Sequence, residues 1–149
     1  MNEHGLLKAT EATLAASEYV ARKLNDYNIS HLFLMRQLAN LEKTPIAHLA
    51  GDAVLFHFRK IFKGQIVGNS GISIEHANRL IAENVVDAVA FGRDYIANPD
   101  LVERIRLGAP LNQQRPEGYY GDSAEGFTDY PELSDDGRNF YESDETREE

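Results

Sequence analysis

The fold is decided by Gly64-Gln-Ile-Val-Gly-Asn-Ser-Gly-Ile-Ser-Ile-Glu75, together with Asp87-Ala-Val-Ala-Phe-Gly-Arg-Asp-Tyr-Ile-Ala-Asn-Pro99. Two short apolar runs, 65–67 and 87–91, each lead into a glycine and then into a helix-start signal. One helical pattern, 74–84, lies between them. This order predicts a βαβα unit in which the two strands are parallel neighbours.

The two glycine turns of this unit are expected at the same end of adjacent parallel strands. Backbone N–H groups there can bind an anion, helped by the positive ends of the helices that follow. The pattern therefore predicts half of a phosphate site. An ordinary structural role is the alternative, in which Gly68, Gly71 and Gly92 only supply the positive φ that βα turns need.

Composition limits the protein class. The chain has 149 residues, no cysteine and a net charge of −9, which predicts one globular unit without disulfides in a reducing, cytoplasmic setting. Eight acidic and two basic residues follow from position 132 onward, so that −6 of the −9 lies in the last 18 residues. No basic patch favours nucleic acid, no apolar run has membrane-span length, and residues 1–5 do not begin a signal peptide.

The remaining elements extend this unit in both directions. A helix is predicted over 10–26, capped by Thr10 with Thr13 and buried along one face, then a strand over 31–36 that is covered on both faces. A long connection, 37–50, has the length of an active-site loop. The residues expected to face inward from the first helix are Leu14, Ala15, Tyr19, Val20 and Leu24.

The other helices have identifiable starts and ends. One is predicted over 52–62, with Asp52 as cap, Val54, Leu55, Phe58 and Phe62 inward, and Gly64 as a left-handed stop. Helix 74–84 has Ser73 as cap, Ala77, Leu80 and Ile81 inward, and Asn84 at its end. A turn over 94–98 leads to a helix that runs from Pro99 to Leu107 and ends at Gly108.

Three parallel strands cannot close a barrel, so the chain looks like a piece of something larger. We expect the (β/α) segment over 1–108, an irregular docking segment with several aromatic residues over 109–133, and an acidic disordered tail over 134–149.

Several stretches together resemble the old yellow enzyme family, the FMN-dependent NAD(P)H:flavin oxidoreductases and ene-reductases. They are Tyr19-Val-Ala-Arg-Lys-Leu24, Ala50-Gly-Asp52, His57-Phe-Arg59, Ala88-Val-Ala-Phe-Gly-Arg93, Ile96-Ala-Asn-Pro-Asp-Leu101, Tyr119-Tyr-Gly121 and Gly126-Phe-Thr-Asp-Tyr-Pro131. The resemblance covers roughly residues 14–133. It implies a partial (β/α)8 TIM barrel, in which the three strands are barrel strands six to eight.

The resemblance also implies a cofactor and a site. Loops after strands seven and eight of such barrels often bind phosphate, so the FMN phosphate would contact the backbone at Asn69, Ser70 and Gly71, and at Gly92 and Arg93. The Arg93 guanidinium would add a charge-assisted contact. A rim tyrosine near the flavin and substrate would be Tyr120.

This chain departs from the family pattern in two places and lacks the family's earlier strands. Glycine is common where Ser70 stands, and strand six usually continues into an acidic residue and proline, whereas here Arg36 and Gln37 follow. The residues that bind the substrate and donate its proton belong to absent strands, so we assign no catalytic residue. We expect a C-terminal fragment or truncated relative of an NAD(P)H-dependent enzyme, or alternatively a non-catalytic half-barrel that needs a companion chain or pairs as a homo-oligomer.

Three groups of residues have a structural alternative. Arg93 could instead form a surface ion pair with Asp94 or Glu103, and Tyr119 and Tyr120 could be packing residues. Asp129 is interpreted as a turn residue. The five histidines show no metal-ligand spacing, so we predict no metal site.

Overall fold

The computed structural model describes residues 10–36, 41–120 and 123–133, and the chain divides into two compact units after Ala90. The helices are α1 (Glu11–Leu24), α2 (Ala53–Arg59), α3 (Ile74–Ala82), α4 (Arg93–Ala97) and α5 (Leu101–Leu107), and the strands are β1 (His31–Met35), β2 (Gln65–Asn69) and β3 (Ala88–Val89). Short 3-10 helices cover Ala47–Leu49 and Pro116–Gly118. The boundaries proposed at 108 and 133 stay predictions, and the predicted tail over 134–149 lies outside the described residues.

The first unit contains a three-stranded parallel sheet in the order β1-β2-β3. The register pairs Phe33 with Val67, and Val67 in turn with Ala88. The predicted parallel βαβ order is therefore confirmed. β3 is shorter than the predicted strand 87–91, because only its residues Ala88 and Val89 pair with β2.

Helices cover one face of this sheet and form the core of the first unit. Ile66 of β2 is fully buried together with Leu55 of α2 and Leu80 of α3. Phe58 and Phe62 are also buried, as predicted for the inward face of the second helix. Burying each such side chain contributes about 1.5–3 kcal/mol to the stability of the unit.

The opposite face of the sheet is open, which corrects the prediction that β1 is covered on both sides. Along β1 exposed and half-buried residues alternate, and Phe33 and Met35 are 49% and 66% exposed. Three strands give a sheet that does not close, so one side chain in two along β1 remains in contact with solvent. The predicted inward positions Ala15, Tyr19, Val20 and Ile81 are likewise exposed.

Capping was predicted correctly at two helices. Thr10 and Thr13 form the reciprocal cap of α1, in which each side chain accepts from the other residue's backbone N–H. The Ser73 hydroxyl accepts from the N–H of His76 at 3.2 Å and begins α3. Asn84 follows α3 with a φ of 56°, the left-handed conformation that ends helices.

At α2 the predicted start and stop mechanisms are both wrong. Asp52 stands at the N-cap position, but its carboxylate makes no cap hydrogen bond. Gly64 is not left-handed. Instead, a Cβ at Gly64 would lie 2.7 Å from the Phe62 ring, so the residue is small because an aromatic side chain approaches it closely.

The second unit contains α4 and α5 and an irregular segment that follows them. α4 occupies residues predicted as a turn, and α5 begins at Leu101 rather than at Pro99. Gly108, with a φ of 65°, ends α5 as predicted. The Arg104 guanidinium is fully buried, donates to Asp100 Oδ1 at 2.6 Å, and donates to the carbonyls of Pro110 and Pro131. These bonds attach Pro110 and Pro131 to α5.

Candidate functional site

The carboxyl ends of the three strands are joined by hydrogen bonds within the first unit. The N–H of Arg36, directly after β1, donates to the Asn69 carbonyl at 3.0 Å. The Asn69 side-chain amide donates to the Ala90 carbonyl at 2.7 Å. Asn69 therefore links the ends of β1 and β3, and its side chain also accepts from the Ser70 hydroxyl at 3.2 Å.

The turn after β2 has two successive residues in the left-handed conformation. Ser70 has a φ of 79° and Gly71 a φ of 65°. This explains why glycine suits the position of Ser70, since a side chain there costs about 1–2 kcal/mol of backbone strain. Among the described residues, the backbone N–H groups of Ser70 and Gly71 form no hydrogen bond. The turn therefore offers two adjacent donors to a ligand.

One side chain, that of Arg36, binds the carbonyl groups of the same turn. The Arg36 guanidinium donates from Nε to the Ser70 carbonyl at 2.9 Å and from Nη2 to the Gly71 carbonyl. Its Nη1 donates to Asp52 Oδ1 at 2.5 Å. The Arg36 side chain is only 12% exposed, so these charge-assisted bonds are partly protected from water.

His76 of α3 completes this cluster. Its Nε2 lies 2.6 Å from Asp52 Oδ2, yet the two groups are not aligned for a hydrogen bond and the nitrogen is buried without a partner. The two side chains are therefore in contact without a hydrogen bond, and the contact is an ion pair only if the imidazole is protonated. The hydrogen bond of the Asp52 carboxylate is the one that it accepts from Arg36 Nη1.

Gly92 and Arg93 lie near the start of the second unit, which begins at Phe91. Gly92 has a φ of −98°, so the prediction that it supplies a positive φ is wrong for this residue, whereas it holds for Gly71. Gly68 is not left-handed either, and its absent side chain leaves room for Val86. A Cβ at Gly92 would meet no heavy atom of the described residues within 4 Å, so their packing does not explain this glycine.

Arg93 does not form the ion pair that was its structural alternative. Asp94 accepts from the Gln114 side-chain amide at 2.5 Å, and Glu103 is paired with Arg106 at 2.5 Å. Within the described part of the chain no salt bridge includes the exposed Arg93 side chain. Its charge is therefore available to an anion.

The two predicted tyrosines differ in their surroundings. Tyr120 is 98% exposed, so packing does not account for it. The Tyr119 hydroxyl donates to Gln114 Oε1 at 2.7 Å, and burial raises the pKa of Tyr119. Tyr119 is therefore a structural residue of the second unit, in line with the structural alternative.

Asp129, predicted as a turn residue, directly follows the turn over 125–128, and it has an ion-pair partner that the sequence did not indicate. It accepts from the Gly126 N–H at 2.8 Å and from both terminal nitrogens of Arg115. Arg115 first, and then the Gly126 N–H, lower the pKa of Asp129. The Arg115 guanidinium also lies 4.2 Å from the centre of the Tyr130 ring, so the three side chains stabilise the irregular segment together.

Sequence reasoning missed the cluster of Arg36, Asp52 and His76. The available signal was the departure from the family pattern directly after β1, where Arg36 follows, but the partners of Arg36 are 16 and more positions away. Across residues 10–36, 41–120 and 123–133, no group of three or more His, Asp or Glu side chains could hold a metal ion. No helix in those ranges has the length and apolarity that crossing a membrane requires.

Comparisons with known proteins give consistent relatives. No protein family model matches the chain. It is 35% identical over 116 residues to 12-oxophytodienoate reductase 2 of Arabidopsis thaliana, covering 77% of this chain and 30% of that protein. It is 34% identical over 135 residues to 12-oxophytodienoate reductase 1 of Oryza sativa, covering 86% of this chain and 34% of the relative.

Solved structures agree with these relatives. The old yellow enzyme from Trypanosoma cruzi matches with a TM-score of 0.70 and 35% identity, over 83% of this chain and 31% of that one. Morphinone reductase in complex with tetrahydroNAD matches with a TM-score of 0.66 and 34% identity, over 82% and 31%. The three parallel strands and their helices thus match part of a TIM-barrel fold, as predicted, with the sheet left open. This chain is similar to members of the old yellow enzyme family, and it spans about one third of the length of the relatives it matches.

Proposed function

We propose that this chain supplies the phosphate-binding end of an FMN site in an NAD(P)H oxidoreductase of the ene-reductase type. The observation that carries the proposal is the turn after β2, where the N–H groups of Ser70 and Gly71 have no partner among the described residues. Backbone N–H groups at such turns are common phosphate ligands. Reductases among the chain's relatives support the class of reaction.

By the family resemblance, two turns would contact the phosphate end of the cofactor. Asn69, Ser70 and Gly71 would contribute from the first unit, and Gly92 and Arg93 from the second. Gly92 leaves open space beside its backbone, and Arg93 has an exposed charge without a salt bridge in the described chain. The pairing of the two turns on one phosphate comes from the family resemblance. Tyr120, almost fully exposed, would lie at the rim of the flavin and substrate site.

A bound FMN would supply hydride transfer from NAD(P)H to an electron-poor C=C acceptor in the whole enzyme. The chain's own residues would bind and orient the phosphate, and no described residue is assigned to proton transfer. A solved relative in complex with tetrahydroNAD supports a nicotinamide donor for the whole enzyme. The acceptor and the catalytic groups would be supplied by the parts of the relatives that this chain does not span.

Flavin spectroscopy tests the proposal directly. Purified chain is titrated with FMN, and a shifted visible absorbance together with quenched fluorescence is expected. The shift should survive desalting, because a bound flavin elutes with the protein. A free-flavin spectrum after desalting would contradict FMN binding by this chain.

Arg93→Ala tests the second unit's share of the site. We expect FMN binding to weaken by about 1–3 kcal/mol, the range for losing a hydrogen bond to a charged group. The matched control is Arg106→Ala, which removes an exposed arginine of the same unit and the same formal charge. Equal affinity in the Arg93 variant and the wild type would show that this guanidinium does not contact the phosphate.

A second candidate function is a non-catalytic half-barrel, or a subunit that needs a companion chain. The open sheet face favours it, since Phe33 and Met35 are exposed and β1 is the outer strand of the described sheet. Unpaired strand edges invite pairing with another chain. Size-exclusion chromatography with light scattering decides this: a dimer or a complex supports it, and a monomer at all concentrations argues against edge pairing.

A further inference from the structure

We propose that Arg36 is a positioning residue for phosphate recognition, because it fixes the turn formed by Ser70 and Gly71 in its left-handed conformation. The inference builds on the proposed function. It predicts that the preference for a phosphorylated flavin depends on a side chain that does not contact the phosphate.

The geometry of the three contacts is the basis of this role. A guanidinium is a rigid planar fork, and here its three nitrogens bind the Ser70 carbonyl, the Gly71 carbonyl and Asp52. Two adjacent carbonyls held by one plane fix the orientation of the peptide groups that contain them. The N–H of Gly71 belongs to the same peptide as the Ser70 carbonyl, so fixing that carbonyl also fixes that donor.

Backbone strain at Ser70 gives the contacts of Arg36 with the turn a second role. Ser70 is a non-glycine residue with a φ of 79°, a conformation that persists only where surrounding contacts impose it. Arg36 supplies two of those contacts from a side chain that is 12% exposed. Without them, the Ser70 backbone would relax toward negative φ and its donors would turn away from their present directions.

The charges of Arg36 and Asp52 also bear on the binding of an anion at this turn. Asp52 neutralises much of the Arg36 charge, since one of its oxygens lies 2.5 Å from Nη1. His76 Nε2 lies 2.6 Å from the other oxygen. The carboxylate of Asp52 therefore sets the net charge of the cluster. Replacing it with a neutral group would leave the positive charge of Arg36 uncompensated next to the turn.

Arg59 offers a matched control within the first unit. Its guanidinium also binds two backbone carbonyls and one carboxylate, those of Val85, Gly64 and Asp87, but at the opposite end of β2. Arg59→Lys and Arg36→Lys therefore remove the same kind of three-way contact while keeping the charge. Any general loss of stability should be similar, and only Arg36→Lys should change phosphate recognition.

The experiment compares FMN with riboflavin, which lacks the phosphate, in fluorescence titrations of the full chain and both lysine variants. We expect the FMN dissociation constant of Arg36→Lys to rise about ten-fold, as for one well-placed interaction, with riboflavin binding unchanged. Arg59→Lys should keep the wild-type FMN preference. Circular dichroism melts set a temperature at which all three proteins are folded.

Each outcome is decisive. A wild-type chain without preference for FMN over riboflavin overturns the proposed function and this inference together. A wild-type preference that Arg36→Lys retains, or that both lysine variants lose equally, overturns this inference alone.

If Arg36→Lys does not fold, Asp52→Asn replaces it. Asparagine keeps an acceptor for Nη1 and removes the compensating charge, so the FMN preference should rise. A preference that is unchanged or lower in Asp52→Asn would overturn the role given to Arg36.

Discussion

The two ends of β2 are each held by an arginine, yet the two arginines serve different surroundings. At the amino end Arg59 binds the carbonyls of Val85 and Gly64 and the carboxylate of Asp87. At the carboxyl end Arg36 binds the carbonyls of Ser70 and Gly71 and the carboxylate of Asp52. The same three-way contact therefore recurs at both ends of one strand.

What differs is the backbone that each arginine holds. Gly64 is not left-handed, and the Phe62 ring packs closely against it. Close packing therefore fills the space at the amino end. Ser70 and Gly71 are both left-handed, and within the described chain their N–H groups are unpaired. The comparison indicates that the amino end serves stability and that the carboxyl end keeps polar groups available for a ligand.

Phe62→Ala should have the largest effect on this comparison. Phe62 is 2% exposed, and replacing such a ring with alanine costs about 3–5 kcal/mol of unfolding free energy. Urea denaturation measures the loss, with Phe62→Leu as the milder variant in case alanine does not fold. The FMN preference over riboflavin should survive wherever the variant remains folded. A lost preference in a folded Phe62 variant would show that the two ends are not separable.

Ser70→Gly should have a smaller effect, and in the favourable direction. Glycine relieves the left-handed strain of about 1–2 kcal/mol but adds unfolded-state entropy of about 0.5–1 kcal/mol. The net stabilisation should therefore lie between about 0 and 1.5 kcal/mol, measured as a shift of the urea midpoint. The same change at exposed Ser17 within α1 is the control and should destabilise, because glycine weakens helices. Destabilisation by Ser70→Gly would mean that the serine hydroxyl outweighs the strain.

Asp87 should give the smallest effect, a pH dependence at the amino end. The Ile66 N–H first, and the Arg59 guanidinium after it, lower the pKa of Asp87. A lowered folded-state pKa means that the unfolded chain binds more protons as the pH falls below about 5, so this contribution to stability is lost toward acid. Urea midpoints at about pH 6 and pH 3.5 should therefore differ more in the wild type than in Asp87→Asn. Equal pH dependence in both proteins would contradict this role of the carboxylate.

Local signals predicted the parallel strands, the caps at Thr10 and Ser73, and the helix end at Gly108. Each of these depends on residues a few positions apart, and their geometry follows from backbone propensity and turn chemistry. The stretch from 64 to 99 was informative for the same reason. The resemblance to the old yellow enzyme family added the barrel context that three strands alone do not contain.

The errors arise where burial depends on what lies across the sheet. Phe33 and Met35 have the composition of a covered strand, but the described sheet leaves their face open. Tyr19 and Val20 were likewise placed inward by periodicity and are exposed. Apolar patterns show which side chains favour burial, whereas the surface that would bury them is not encoded within the same segment.

The contacts of Arg36 with the turn could not be predicted for a related reason. Its partners at Asp52, Ser70 and Gly71 lie 16, 34 and 35 positions away in the sequence. Nothing in the local pattern distinguishes an arginine that holds a distant turn from one on the surface. The candidate site residues themselves stay predictions, since their pairing on one phosphate depends on the resemblance.

The amide of Asn69 has a consequence for how the strand ends respond to their environment. The last backbone bond of β3 runs from the Ala90 N–H to the Gly68 carbonyl, and the Asn69 side chain then donates back to the Ala90 carbonyl. This neutral side chain adds one more rung to a ladder of only two paired residues. An amide neither titrates nor is screened by ions, so this rung should keep its strength across salt and pH conditions that weaken the charged contacts around it.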